Sequence, residues 1–557
     1  MRLRHFAAAV AALVLLGVAR PALAEEDPHA ACAAPPSYVP AELLDRPVPK
    51  RTGIGNSHET VTTASADAQA FYDQGLNYLE SYVWIEAARS FRQALRLDPK
   101  LAMAYLGLSY AHSGLENPAA ARVFLEKAKG LAAGASERER RRIGIREKQL
   151  AAMEDLEDGA AFLAYKKSID EALAADLDDP QLWLLRGNAE EANASGRGQR
   201  GTAPSAAFYQ RVLQLVPDHA SAHHYLVHTY ETIGRIEKAL EHGEAYARLA
   251  PSIPHAAHMW AHDLRRVGRI DDAIEQFRKT DALERAYYEA EGIDPKLDWH
   301  HGHNLDLLAT CYQHKGQMRL AERTMLESKA LGDADAYRAF NLRALPNFLI
   351  HRGRYEEALA AARDLTRSTF PQAKTVGHAL AGEALIGLGR AGEARKQLDA
   401  ARAALEKVPR VVAGVTPSRG AVEPWVESLR GELLLRSGKT QEGREVLMEV
   451  ARRLRGIPGP DAWVQTLFRL EMIARAAIDA GDWELADHAA AQMLDHDAAY
   501  GGSHLALARV LEHKGDPRAG EELAAAKRFW RDADPDLPEL KQIAAAAGAP
   551  TTAGRAN

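Results

Sequence analysis

A chain of 557 residues is several times the size of an ordinary domain, so a single compact core is not expected. Hydrophobic residues make up 46% and aromatics only 7%, a balance that favours helices packed through small side chains over a sheet-rich fold. The formal net charge of -6 argues against the basic footprint of a nucleic-acid binder.

Residues 1–24 read as a cleavable secretory signal. Arg2 and Arg4 supply the charged start, Phe6 to Val18 the apolar stretch, and Ala22-Leu23-Ala24 the small-residue cleavage site. The mature chain would begin near Glu25, periplasmic or secreted and without membrane insertion, because no later segment reaches membrane length. Cys32 follows His29-Ala30-Ala31 and lacks the leucine of a lipoprotein box, so no lipid anchor is expected. Cys32 and Cys311 are the only cysteines, far apart in sequence and expected to be unpaired. Residues 25–67 carry Pro28, Pro35, Pro36, Pro40, Pro47 and Pro49 with little apolar periodicity, and read as a flexible leader.

Order is expected from Ala68. There AFYDQGLNYLESYVWIEAARSFRQALRLDPK places Phe71, Gly75, Tyr78, Ala87, Ala94 and Pro99 at the signature spacings of the tetratricopeptide family, which it resembles closely. Small residues let the two helices of a hairpin approach, and the proline ends the second helix. Leu101 to Lys129, with Gly107 and Gly114, make a second unit. Later units pair a turn glycine with a small residue five positions on: Gly234/Ala239, Gly268/Ala273, Gly316/Ala321, Gly353/Ala358, Gly389/Ala394, Gly438/Gly443, Gly481/Ala486 and Gly515/Gly520. The resemblance implies an all-α fold, a tetratricopeptide-type helical-hairpin solenoid wound as a right-handed superhelix.

The pattern weakens over 135–216. SERERRRIGIREKQ (136–149) reads as a solvated helix face. GRGQRG (196–201) matches the dinucleotide fingerprint in letters only, with no strand before it, and reads as a loop. VAGVTPSRG (412–420) reads as a loop between two blocks. The expected organisation is an N-terminal array over 68–410, a C-terminal array over 411–534, and a partly disordered tail over 535–557.

Eleven of the 22 histidines fall between His219 and His303. His224 and His228 recur one 34-residue repeat later as His258 and His262. By the resemblance, positions 13, 10 and 6 before each turn glycine line the concave groove, and their i, i+3, i+7 spacing puts them on one helix face. These are Ser221, His224 and His228, then His255, His258 and His262, then His303, Asp306 and Thr310. Gly196, taken as the preceding turn, adds Trp183, Arg186 and Glu190; Gly353 adds Phe340, Arg343 and Asn347.

First helices stacked at ordinary packing distance would bring imidazoles from neighbouring repeats onto one ion. The candidate ligands are His224, His228, His255, His258, His262 and His303, for a divalent transition metal, with copper or zinc favoured and iron admissible. The number exceeds one tetrahedral shell, so a two-metal centre or outer histidines both fit. His223 or His300 would enter if the helix phase is off by one residue. Glu231, Asp263 and Asp306 are candidates to orient imidazole N–H groups. Glu190 or Asp306 would move protons if the site is catalytic, and Arg186 and Arg343 would hold an anionic ligand.

No HExxH, CxxC, phosphate loop or G-x-S-x-G is present. AHHYLVHTYE (222–231), HAAHMWAHDL (255–264) and HHGHNLDLL (300–308) resemble a histidine-bearing group of exported bacterial tetratricopeptide proteins without an assigned activity. Three readings stand: a metal site, whether or not catalytic; a scaffold holding a peptide or protein in the groove; and a histidine-based pH sensor.

Overall fold

The computed structural model describes residues 39–548 apart from Ala334 and Pro458. The signal reading, the start of the leader, Cys32 and the last residues of the tail lie outside the described residues. Described secondary structure is helical throughout, with no strand. Successive antiparallel hairpins run from Ala66–Glu80 paired with Trp84–Leu97 to Gly501–Lys514 paired with Ala519–Phe529.

The hairpin chemistry follows the sequence. All eight turn glycines, from Gly234 to Gly515, take φ between 67° and 79°, where a side chain would be strained. The alanines five residues on (239, 273, 321, 358, 394 and 486) have no exposed surface, because the paired helix lies directly over them. Pro118, Pro180, Pro254, Pro371 and Pro460 each open a helix at a position whose N–H has no intrahelical acceptor.

Several boundaries differ from expectation. Residues 39–67 are no flexible leader. Leu43, Leu44, Val48, Ile54 and Val61 are buried in the N-terminal core, and the Gly53 carbonyl accepts from Ser252 N at 2.8 Å. Five apolar anchors outweigh the local flexibility suggested by the prolines. The break expected near 410 is also missing. One hydrophobic cluster runs from Ala261 to Ile543 and includes Val408 and Val422 on either side of the loop, while a second spans Leu43 to Ile293. In the tail, Pro538–Gly548 is a helix held by Glu539, which meets Arg352 at 2.9 Å and Arg475 at 3.1 Å.

The array closes on itself. Tyr287 donates to Glu86 at 2.9 Å, and Gly414 N donates to Ser195 Oγ at 3.0 Å across 219 residues. Trp530 Nε1 donates to the His314 carbonyl at 3.1 Å, and Asp534 N to the Gly316 carbonyl at 3.1 Å. These contacts fill the inner face on which an open groove was expected.

Candidate metal centre

Three helices carry the histidines: Ala220–Thr232, Pro254–Arg266 and Trp299–His314. Their facing nitrogens form three groups, each with all ligand atoms within 4.8 Å of one another: His224, His228 and His255; His255, His258 and His300; and His258, His262 and His303. All six expected histidines are therefore brought together, and His300 joins them. His300 and His303 occupy one face of the first turn of their helix. Asp306 and Thr310 lie further along, where Thr310 donates to the Leu307 carbonyl. The stack is thus staggered by one turn from the phase read off Gly316. His223 stays outside, with its Nδ1 2.8 Å from His242.

Four of the rings, His224, His258, His300 and His303, have one nitrogen facing a scaffold group, while both nitrogens of His255 face histidines. His224 Nδ1–H donates to the Glu80 carbonyl at 2.8 Å. His258 Nδ1–H donates to Asn304 Oδ1 at 2.9 Å, and that amide is fixed because its nitrogen donates to the Phe277 carbonyl. Glu284 Oε1 stands 2.5 Å from His300 Nδ1, Glu231 3.6 Å from His262 Nδ1, and Asp461 3.5 Å from His303 Nδ1. Inward, Nε2 of His255 lies 3.0 Å from Nε2 of His224, and Nε2 of His262 lies 2.8 Å from that of His258. Outer partners that set the tautomer and aim the free lone pair are the usual support of metal-binding imidazoles.

The setting is dry. His224 and His258 are 0% exposed, and of the seven rings only His228 is partly open. Tyr82 packs 4.6 Å from His224 and 5.3 Å from His255, and Trp299 5.1 Å from His300. Tyr82 holds φ 60°, a left-handed turn where later repeats place glycine. That conformation costs about 1–2 kcal/mol, and its ring contacts with the histidines offset it.

Burial pushes His228 and His300 down to about 3, and His224 and His255 well below the ordinary imidazole value, with neighbouring histidines adding to the fall. Burial favours the neutral form of these rings, the form a metal ligand needs. His303 is the exception. Burial lowers it, but Asp461 outweighs burial and carries it above the ordinary value. Burial raises Glu284 well above the usual carboxylate range.

The other expected site residues are placed elsewhere. Glu190 is held by Lys166 at 2.8 Å and by Arg186, which also pairs with Asp170 at 2.5 Å. No hydrogen bond joins Glu190 or Arg186 to a histidine among the described residues. They sit apart because Gly196 is not the turn; Gly198 has φ 90°, and the loop over 189–202 carries the chain away. Asp306 is near His303 but bonded to Ser328 at 2.5 Å and to Arg338, so it is not free to move a proton. Arg343 stacks 3.8 Å over Phe340 at a break between Ala336–Asn341 and Ala344–His351. Pro346 causes that break, since its ring excludes a helical Leu342 carbonyl. Of the other proposed orienting acids, Glu231 approaches His262, whereas Asp263 is buried with both carboxyl oxygens unpartnered. The outer partners Glu80, Glu284, Asn304 and Asp461 carry no sequence signal, for each comes from another turn or another hairpin. Cys311 is buried and free, with burial pushing its thiol up to about 12.

A family model described as tetratricopeptide repeat matches residues 349–410, and the hairpins on either side repeat its geometry. The matched stretch is a tetratricopeptide repeat segment. Among solved structures the chain is similar to YrrB, a tetratricopeptide protein with an unusual peptide-binding site, at 17% identity and TM-score 0.26, over 36% of this chain and 94% of that one. Human IFIT1, solved as a dimer with m7Gppp-AAAA, matches at 15% identity and TM-score 0.35, over 82% of this chain and 90% of that one. No curated protein matches. Tetratricopeptide arrays as a class bind peptide or protein partners. No described helix is long and apolar enough to cross a membrane.

Proposed function

We propose that this is an exported tetratricopeptide protein, periplasmic or secreted, that binds divalent transition metal in a buried histidine centre, with copper or zinc favoured over iron. The observation that carries the reading is the run of three overlapping triads whose ligand nitrogens lie within 4.8 Å of one another, with His224, His258 and His300 each held from behind by a scaffold group. The groups 224/228/255 and 258/262/303 share no residue, so two ions fit at once; the middle group shares one histidine with each and is their alternative. On a tetrahedral ion with metal–nitrogen bonds of about 2.0–2.1 Å the ligand atoms stand about 3.3 Å apart. Separations of 2.8 and 3.0 Å reach that by moving rings a few tenths of an ångström. Neutral imidazoles without thiolates suit copper or zinc. The charged start, apolar stretch and small-residue site of residues 1–24 support export.

A second reading has its own observation. With Glu284 protonated, one proton per ring satisfies Glu284, His300, His255, His224 and the Glu80 carbonyl end to end, at 2.5, 2.9, 3.0 and 2.8 Å. The histidines would then be a hydrogen-bonded ladder that stiffens the closed array.

Elemental analysis of the mature protein from its native compartment, beside a His258→Ala/His262→Ala variant, decides between them. The metal reading expects copper, zinc or iron in the wild type, and loss of the ion held by His258, His262 and His303 in a variant that still unfolds cooperatively. Metal-free protein that takes up none on loading supports the ladder.

A further inference from the structure

A cavity of about 120 Å³ lies between the first two hairpins and the helices Glu137–Ala152 and Pro180–Asn188. Much of its wall is apolar, with Leu76, Leu79, Trp84, Phe91, Met103 and Leu106. Two guanidinium groups in the lining converge on Ser113. Arg146 Nη2 donates to Ser113 Oγ and, at 2.9 Å, to the Ser109 carbonyl; Arg197 Nη2 donates to the Ser113 carbonyl at 2.7 Å. Among the described residues neither has a carboxylate within ion-pair distance.

One turn before Arg146, Arg142 in the same lining sits between Glu59 at 3.1 Å and Asp179 at 2.8 Å. Arg146 is 1% exposed; its Nε donates to Ser109 Oγ at 3.1 Å and its Nη1 to Gln149 Oε1 at 2.6 Å, so only neutral acceptors hold it, and a buried guanidinium without an anion is costly. Glu116 is the acid whose charge acts most on Arg197, outside ion-pair distance, and three other acids nearby are engaged. Glu59 belongs to Arg142, Glu80 accepts from Ser57 at 2.5 Å and from Ser221, and Glu191 accepts the Arg197 N–H at 3.1 Å. The buried Tyr165 hydroxyl, also in the lining, has no hydrogen-bond partner.

We propose that this cavity is a second binding site, for a small organic carboxylate with an apolar or aromatic body about one ring in size. The carboxylate meets Arg146 and Arg197, with the Tyr165 hydroxyl as a further donor, and the body packs on the apolar wall. A dry cavity of about 150 Å³ takes benzene, which sets the scale. Tyr82 forms part of the wall and packs on His224 from its ring, so the ligand would lie one side chain from the first histidine triad.

The test is calorimetric titration of the full-length mature protein with benzoate, phenylacetate and hexanoate, with benzamide as the uncharged control. At least one carboxylate should bind one to one, with benzamide weaker by on the order of tenfold or more. Arg197→Gln should weaken carboxylate binding by a similar factor, and Leu106→Trp, which fills the cavity, should abolish it in protein that keeps its cooperative unfolding. Binding should persist in His258→Ala/His262→Ala, which separates this site from the metal centre. The proposal is overturned if none of the three carboxylates binds the wild type at millimolar concentration. It is equally overturned if binding is unchanged in both Arg197→Gln and Leu106→Trp.

Discussion

Buried histidines occur in both halves of the array, but they are satisfied in opposite ways. In the C-terminal half His314 and His351 each meet an acid that also holds an arginine. His314 stands 3.1 Å from Asp497, which holds Arg265 at 2.9 Å, and His351 stands 2.7 Å from Glu471, which holds Arg475 at 2.6 Å. In those sets each carboxylate faces an arginine as well as a histidine. In the N-terminal half the histidines face one another, and their acids and carbonyls lie behind them. The first arrangement cements two segments of the superhelix; the second leaves inward lone pairs that a proton or a metal ion must fill.

Asp497→Ala should break the comparison on the C-terminal side. It strands buried Arg265 and should cost about 3–5 kcal/mol, read by denaturant unfolding, with metal content unchanged. On the N-terminal side, metal at a hundredfold excess over its dissociation constant should stabilise the wild type by about 2.7 kcal/mol. A chelator should remove that increment, and calorimetry should show a smaller one in His258→Ala/His262→Ala, which keeps only the group of His224, His228 and His255. Asp461→Asn removes the charge behind His303 and should weaken metal binding about 10- to 100-fold without unfolding the chain.

The smallest effect is on pH dependence. Burial holds His112 and His496 at about 4, below the roughly 6.5 of an unfolded histidine. The unfolded chain therefore binds more protons between those values, and stability is lost as pH falls through that window. Tm measured at pH 7, 6 and 5 should decline steadily; a rise toward pH 5 would contradict the burial of these rings.

The repeat scaffold was legible because its signals are local. A glycine at a left-handed turn and an alanine under a crossing helix are fixed within a few residues, and Gly234 and Ala239 behave as their spacing implies. The histidine set was legible for the same reason, since His224, His258 and their partners repeat at one period. What sequence could not show depends on closure of the superhelix. Asp461 reaches His303 from 158 residues away, and Tyr82 covers His224 from an earlier hairpin. The stagger that admits His300 and leaves out Asp306 is set by how the helix Trp299–His314 stacks, and no local pattern encodes it. The anchored segment 39–65 was misread because prolines signal local stiffness or turns and say nothing about distant apolar partners such as those around Leu43 and Ile54.

The most direct test of the central claim is X-ray absorption fine structure of the protein loaded with zinc. The account predicts a first shell with three or more imidazole nitrogens at about 2.0–2.1 Å and no sulfur. A shell containing sulfur, or one built of oxygen alone, would place the ion elsewhere and leave the histidines as a hydrogen-bonded ladder.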